Sequence, residues 1–117
     1  MLNKISDFKD KSLLIVDDDN PFRERLARAM EKKGFVVTQA ESVKKGINSV
    51  RLNKPTFAVV DLRLGDGNGL EVVKKIQSSN TNSRIIMLTG YGNIPTAVAA
   101  IKDGAIDYLS KPADADD

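Results

Sequence analysis

Leu13-Leu14-Ile15-Val16-Asp17-Asp18-Asp19 is a short apolar run that stops abruptly in three carboxylates. Phe57-Ala58-Val59-Val60-Asp61 stops the same way. Ile85-Ile86-Met87-Leu88-Thr89 ends in a hydroxyl, and Ile106-Asp107-Tyr108-Leu109-Ser110-Lys111-Pro112 ends in a cation. Leu13 to Asp17, short, aliphatic and without alternation, reads as a buried strand, and the four runs are taken as neighbouring strands of a parallel sheet. Set side by side, their carboxyl ends form one rim bearing acids, a Thr and a Lys. Gathered acids call for a divalent cation, and a Lys beside a Thr suits an anion. A divalent ion with a phosphoryl group satisfies both.

The segments between the runs read as helices. Asn20 as cap and Pro21 at the first helical position open the first one. Phe22, Leu26, Ala29 and Met30 give it an apolar face, and Gly34 closes it. Residues 35–40 read as the second strand. Ser42 caps a second helix with Val43, Ile47 and Val50 on its apolar face, and Asn53-Lys54-Pro55 ends it. The third strand is 56–61. Gly65-Asp66-Gly67-Asn68-Gly69 is a loop dense in turn residues, followed by a helix carrying Leu70, Val73 and Ile76. Residues 84–89 form the fourth strand, and Gly90-Tyr91-Gly92 its exit. Pro95 starts an Ala-rich fourth helix that Gly104 ends, before a fifth strand at 106–110. Strands alternating with helices predict an α/β fold with a doubly wound, five-stranded parallel sheet. In such sheets ligands sit outside the carboxyl ends of the strands.

The chain has 117 residues, enough for one domain of common size. Residues 1–11 are expected to be a polar tail and 12–117 the domain. A fifth helix, which would cover the sheet on the side of the first helix, is expected to be missing from this chain. The first and fifth strands and the first helix are therefore expected to lose cover. About 200 Å² of bared apolar surface is worth roughly 5 kcal/mol, so a longer parent chain or a partner is expected to cover it. Cys and His are both absent. This excludes disulfides, thiolate and imidazole ligands, and imidazole catalysis, and leaves only oxygen to hold a metal. No stretch reaches membrane-span length and no secretory apolar region opens the chain, so a cytoplasmic location is expected. Cations such as Arg23, Arg25, Arg28, Lys44, Lys45 and Lys74 are spread along polar helix faces and read as solvated surface. No nucleic-acid-binding motif accompanies them.

Asp17, Asp18 and Asp61 are the candidate metal acids. A hard ion such as Mg²⁺ takes one or two carboxylates, a carbonyl, waters and a phosphate oxygen. Asp61 is the candidate nucleophile, forming an aspartyl-phosphate. Lys111 and Thr89 are the candidate holders of phosphoryl oxygens.

Val16-Asp17-Asp18, Val60-Asp61-Leu62, Leu88-Thr89-Gly90 and Tyr108-Leu109-Ser110-Lys111-Pro112 resemble the motifs of receiver domains in bacterial two-component response regulators. That resemblance implies a flavodoxin-like sheet of strand order 2-1-3-4-5. It implies that Asp61 accepts a phosphoryl group from a sensor histidine kinase, with Thr89 and Lys111 assisting. It implies Mg²⁺, with Mn²⁺ as the alternative, on Asp18, Asp61 and the backbone carbonyl of Arg63, with Asp17 acting through water. Thr89 and Tyr108 are implied as the switch pair, and Arg63 and Tyr91 as residues that tune access of water to the phosphoaspartate. No turnover beyond self-catalysed phosphorylation and dephosphorylation is implied, so the chain is not expected to be an enzyme. Family receivers dimerise through the fourth helix, fifth strand and fifth helix, so a homodimer is implied, although the missing helix counts against that interface. Ala58-Val59-Val60-Asp61-Leu62-Arg63-Leu64, Asp66-Gly67-Asn68-Gly69-Leu70 and Leu88-Thr89-Gly90-Tyr91-Gly92 are similar to the redox-responsive RegA/PrrA/ActR type. Regulators of that type act on transcription through a DNA-binding domain, which is absent from these residues.

Two other readings compete. A haloacid-dehalogenase-like phosphatase would use Asp17 as nucleophile with Asp19 two residues on, but Asn20-Pro21 follows where a Thr or Val is wanted. A pseudo-receiver would act by protein contact without phosphorylation, yet all the matched residues are present.

Overall fold

The structure is a computed structural model, and it describes residues 10–79, 82–90, 102 and 107–110. Five parallel strands form the main sheet: β1 (Ser12–Val16), β2 (Val36–Ala40), β3 (Phe57–Asp61), β6 (Arg84–Thr89) and β7 (Asp107–Ser110). Their spatial order is β2-β1-β3-β6-β7, which is the expected 2-1-3-4-5 arrangement of the five principal strands. β1 and β3 are neighbours in register, with Val16 opposite Val60. Both strands therefore end at the same level, and the residues after them share one rim.

Three helices are described in full: α1 (Asn20–Lys32), α2 (Val43–Leu52) and α3 (Leu70–Ser79). The larger core lies on the α2/α3 side, where Val16, Val60, Ile85 and Met87 pack against Val50, Val72, Val73 and Ile76. Every one of these eight is 0% exposed. The smaller core lies under α1, where Leu13, Ile15 and Ala27 are buried. There Phe57 meets Phe35 edge-to-face at 5.2 Å. β1 thus keeps its cover, contrary to expectation, because α1 lies directly on Leu13 and Ile15. Leu109 of β7 is 54% exposed.

Local details depart from the sequence reading. The cap of α1 is Asp19, whose carboxylate accepts from the Phe22 N–H at 3.1 Å. Asn20 is instead the first helical residue and Pro21 the second. Both side chains suit a cap, and only the extended backbone at Asp19 decides between them. Ala29 is exposed, and Arg23 and Ala27 form the buried stripe, flanked by half-buried Phe22, Leu26 and Met30. Ser42 caps α2 as expected, accepting from the Lys45 N–H at 3.1 Å. Gly34 takes φ 102° after α1, a conformation that costs glycine no Cβ clash. The glycine-rich segment is more than a loop. β4 (Arg63–Leu64) and β5 (Gly67–Asn68) pair as a two-stranded antiparallel ribbon. The fourth helix expected from Pro95 to Gly104 lies outside the described residues, apart from Lys102, which is helical. No described helix is long and apolar enough to cross a membrane.

Candidate functional site

The rim above β1 and β3 is built by two abrupt stops. β1 runs into Asp17 and Asp18, and β3 ends on Asp61. Asp17 is 0% exposed and Asp61 6%, while Asp18 is open to solvent. One carboxylate oxygen from each lies within 4.8 Å of the others. Three carboxylates converging this closely at two adjacent strand ends have the geometry of a cation cradle. All the donors are oxygen and two are sequestered, which fits a hard divalent ion.

The backbone holds these acids firmly. The Asp17 N–H donates to the Ala40 carbonyl at 3.0 Å, extending the β1–β2 pairing by one residue. Asp17 Oδ1 accepts from the Asp19 N–H at 2.9 Å. Beyond β3, the Leu62 N–H donates to the Leu88 carbonyl at 2.9 Å, so Asp61 sits inside the ladder rather than at a frayed end. The Arg63 N–H lies 3.4 Å from Asp61 Oδ1, and Asn68 caps α3 through the Leu70 N–H at 2.8 Å. Gly69 passes against the Asp61 backbone, and its N–H donates to the Leu62 carbonyl at 2.8 Å.

Arg23 is a correction to the sequence reading. It is 9% exposed rather than solvated. Its guanidinium donates to the Asp17 carbonyl at 2.9 Å, to Asn20 Oδ1 at 2.6 Å and to Gln39 Oε1 at 2.9 Å. A cation fixed beneath the acidic loop both positions it and offsets part of its charge. Nothing in the helical pattern signals this, because a charged side chain at position 23 reads as surface.

The structure brings Asp17, Asp18 and Asp61 together and puts Arg63 immediately beside them, exposed, in β4. The backbone of Thr89 closes β6, two strands from Asp17, and Tyr108 lies in β7 opposite Met87. Lys111 and Tyr91 lie outside the described residues. Asp19, which the phosphatase reading needs, is committed to capping α1.

The response regulator receiver domain family matches residues 13–117. The chain belongs to that family. Among curated proteins it is 62% identical over 108 residues to the acid tolerance regulatory protein ActR of Sinorhizobium medicae, covering 92% of this chain and 56% of the relative. It is 61% identical to the photosynthetic apparatus regulatory protein RegA of Rhodobacter capsulatus, over 92% of this chain and 59% of that one. The receiver therefore spans little more than half the length of these relatives. A solved response regulator from Burkholderia pseudomallei, 40% identical, superposes with a TM-score of 0.82 over 92% of this chain and 63% of that one. That crystal structure carries a phosphorylated aspartic acid, a calcium ion and citrate. Fold, family and acidic pocket thus agree on a receiver with a divalent-cation site.

A consequence for stability follows from the three converging carboxylates. Two charges at this separation repel by a few kcal/mol at intermediate dielectric, and exposure of Asp18 reduces that. Asp18→Asn is expected to raise metal-free stability by about 1 kcal/mol and to gain less stability on addition of Mg²⁺ than the unaltered chain does. Thermal unfolding with and without Mg²⁺ reads both; equal stabilisation of the two proteins by Mg²⁺ would exclude Asp18 as a ligand.

Proposed function

We propose that this receiver takes a phosphoryl group onto Asp61 from the phosphohistidine of a sensor histidine kinase. The observation that carries the reading is the convergence of Asp17, Asp18 and Asp61 at the ends of two adjacent parallel strands. An Asp61 carboxylate oxygen attacks phosphorus, the P–N bond breaks, and its electron pair leaves with the imidazole. Asp18, Asp61 and the Arg63 carbonyl would hold Mg²⁺ directly, and Asp17 would hold it through water. When bound, Mg²⁺ supplies charge neutralisation between the acids and the phosphoryl oxygens. Thr89 and Lys111 hold those oxygens, and the receiver uses the same residues to take a phosphoryl group from small donors and to pass it to water.

The added group brings nearly two negative charges. Thr89 shifts toward it, and Tyr108, on the strand paired with β6, turns inward in response. Arg63 and Tyr91 set how readily water reaches the phosphoaspartate. The receiver works in the cytoplasm, and its partners are the kinase and a second copy of itself. Its output is control of transcription through a DNA-binding domain outside these residues.

Intact mass after incubation with acetyl phosphate tests the reading. One added phosphoryl group is expected with Mg²⁺ and none after chelation. An unchanged mass under both conditions would refute phosphoacceptor function.

A further inference from the structure

Asp66 was legible in the sequence only as a turn residue, and the structure gives it a specific task. Its two carboxylate oxygens accept from the Val43 N–H at 2.8 Å and the Lys44 N–H at 3.1 Å. These are the first two residues of α2, whose N–H groups have no partner within the helix. Ser42 takes the third, from Lys45. The start of α2 is thus satisfied by two devices of different origin, one local and one reaching across from the β4–β5 ribbon. The two backbone N–H groups hold the Asp66 carboxyl below the usual carboxylate range.

The ribbon that Asp66 anchors is the segment leaving Asp61. Arg63 begins it, and Gly65 lies against the acidic loop, where a Cβ would stand 3.7 Å from Asp18 Oδ2. The Gly69 N–H ties its far end back to Leu62. On the other side, α2 follows directly from β2, whose last residue, Ala40, accepts from the Asp17 N–H. The Asp66 latch therefore closes a ring that runs from Asp17 through Ala40 and the start of α2 to the ribbon, and back to Asp61.

We propose that Asp66 is a positioning residue for the cation site: by fastening the β4–β5 ribbon to the start of α2, it sets the separation between the Asp17–Asp18 loop and the Asp61–Arg63 segment. The inference rests on the reading of this pocket as a Mg²⁺ site. Groups that orient metal ligands without touching the metal change affinity tenfold or more when removed. Ligands on two independent loops also gain from being held at the right spacing before the ion arrives.

The test compares Asp66→Ala with Ser42→Ala in this chain, using Mg²⁺ alone as the probe. Both variants remove a cap of α2, and both are expected to lower the unfolding midpoint. Only Asp66→Ala frees the ribbon. Calorimetric titration is expected to show about tenfold weaker Mg²⁺ binding for Asp66→Ala and unchanged binding for Ser42→Ala. Asp66→Asn, which keeps one acceptor oxygen, is expected to fall between Asp66→Ala and the unaltered chain. Unaltered protein that binds Mg²⁺ while Asp66→Ala binds it equally well would overturn the positioning role alone. Equal weakening in Asp66→Ala and Ser42→Ala would overturn it too, since loss of the cap would then explain everything. Unaltered protein that binds no Mg²⁺ would overturn the functional reading, and the inference with it.

Discussion

Asp61→Asn protein, incubated with Mg²⁺ and acetyl phosphate, is expected to keep its unmodified mass while the unaltered chain gains one phosphoryl group. Asparagine matches aspartate in size and shape, so the packing of a residue only 6% exposed is preserved. What changes is the chemistry. The amide oxygen is neutral and a poor nucleophile, and it cannot leave a stable acyl phosphate. The substitution also removes one charge from three carboxylates whose oxygens lie within 4.8 Å. The variant should therefore fold at least as stably as the parent, and loss of uptake cannot be put down to unfolding. Near-equal unfolding midpoints with an all-or-none difference in mass is the expected pair of results. An adduct that survives the substitution would move the acceptor to another residue, with Asp17 and Asp18 the first to examine by peptide mapping.

Gly69→Ala is expected to cost about 2–4 kcal/mol. A Cβ there would stand 2.1 Å from the Asp61 carbonyl oxygen and 3.0 Å from both the Asp61 carbonyl carbon and Val60 Cγ1. The obstacle is the backbone of a central strand, which cannot rotate away as a flexible side chain would. Relief requires lifting the start of α3, and this strains or breaks the 2.8 Å bond from the Gly69 N–H to Leu62. Overpacking costs about 1–3 kcal/mol, and a lost hydrogen bond adds about 1. Domains of this size have about 5–15 kcal/mol in all, so the loss is a large fraction. Urea unfolding measures it, with Gly65→Ala as the control. Gly65 has only Asp18 Oδ2 nearby, at 3.7 Å, an ordinary contact. Its variant is expected within about 0.5 kcal/mol of the parent. A Gly69→Ala protein less than 1 kcal/mol below the parent would show that the helix start yields freely.

The sheet was legible because its cause is local. The run 13–16 is short and uniformly aliphatic, as a strand covered on both faces must be, and the abrupt acidic ends of 13–16 and 57–60 place the site. The caps were harder. Asp19 and Asn20 are both good caps, and one backbone angle separates them. Ala27 and Ala29 carry the same side chain, and only the direction of the helix relative to β1 decides which is buried. Arg23 was misread, and the bonds that Asp66 makes from its turn were missed, for one reason. Each is a charged residue whose partners are distant backbone or side-chain groups, brought close by the fold. Gln39 lies 16 positions from Arg23, and Val43 lies 23 from Asp66. Hydropathy patterns carry no trace of such pairings. The ribbon of β4 and β5 escaped notice because two residues per strand give no alternation to read.

The placement of β1 between β2 and β3 bears on how the protein is made. During synthesis the Asp17–Asp18 loop emerges before the strand that ends in Asp61. Until β3 docks against β1, each acid is an isolated, hydrated carboxylate that no hard cation would hold tightly. Bringing them together requires closing the long crossover through α1, β2 and α2, a step whose entropic cost is repaid only by completed packing. A nascent or misfolded chain therefore presents no assembled pocket. The cation site is therefore a property of the chain in which β3 has docked against β1.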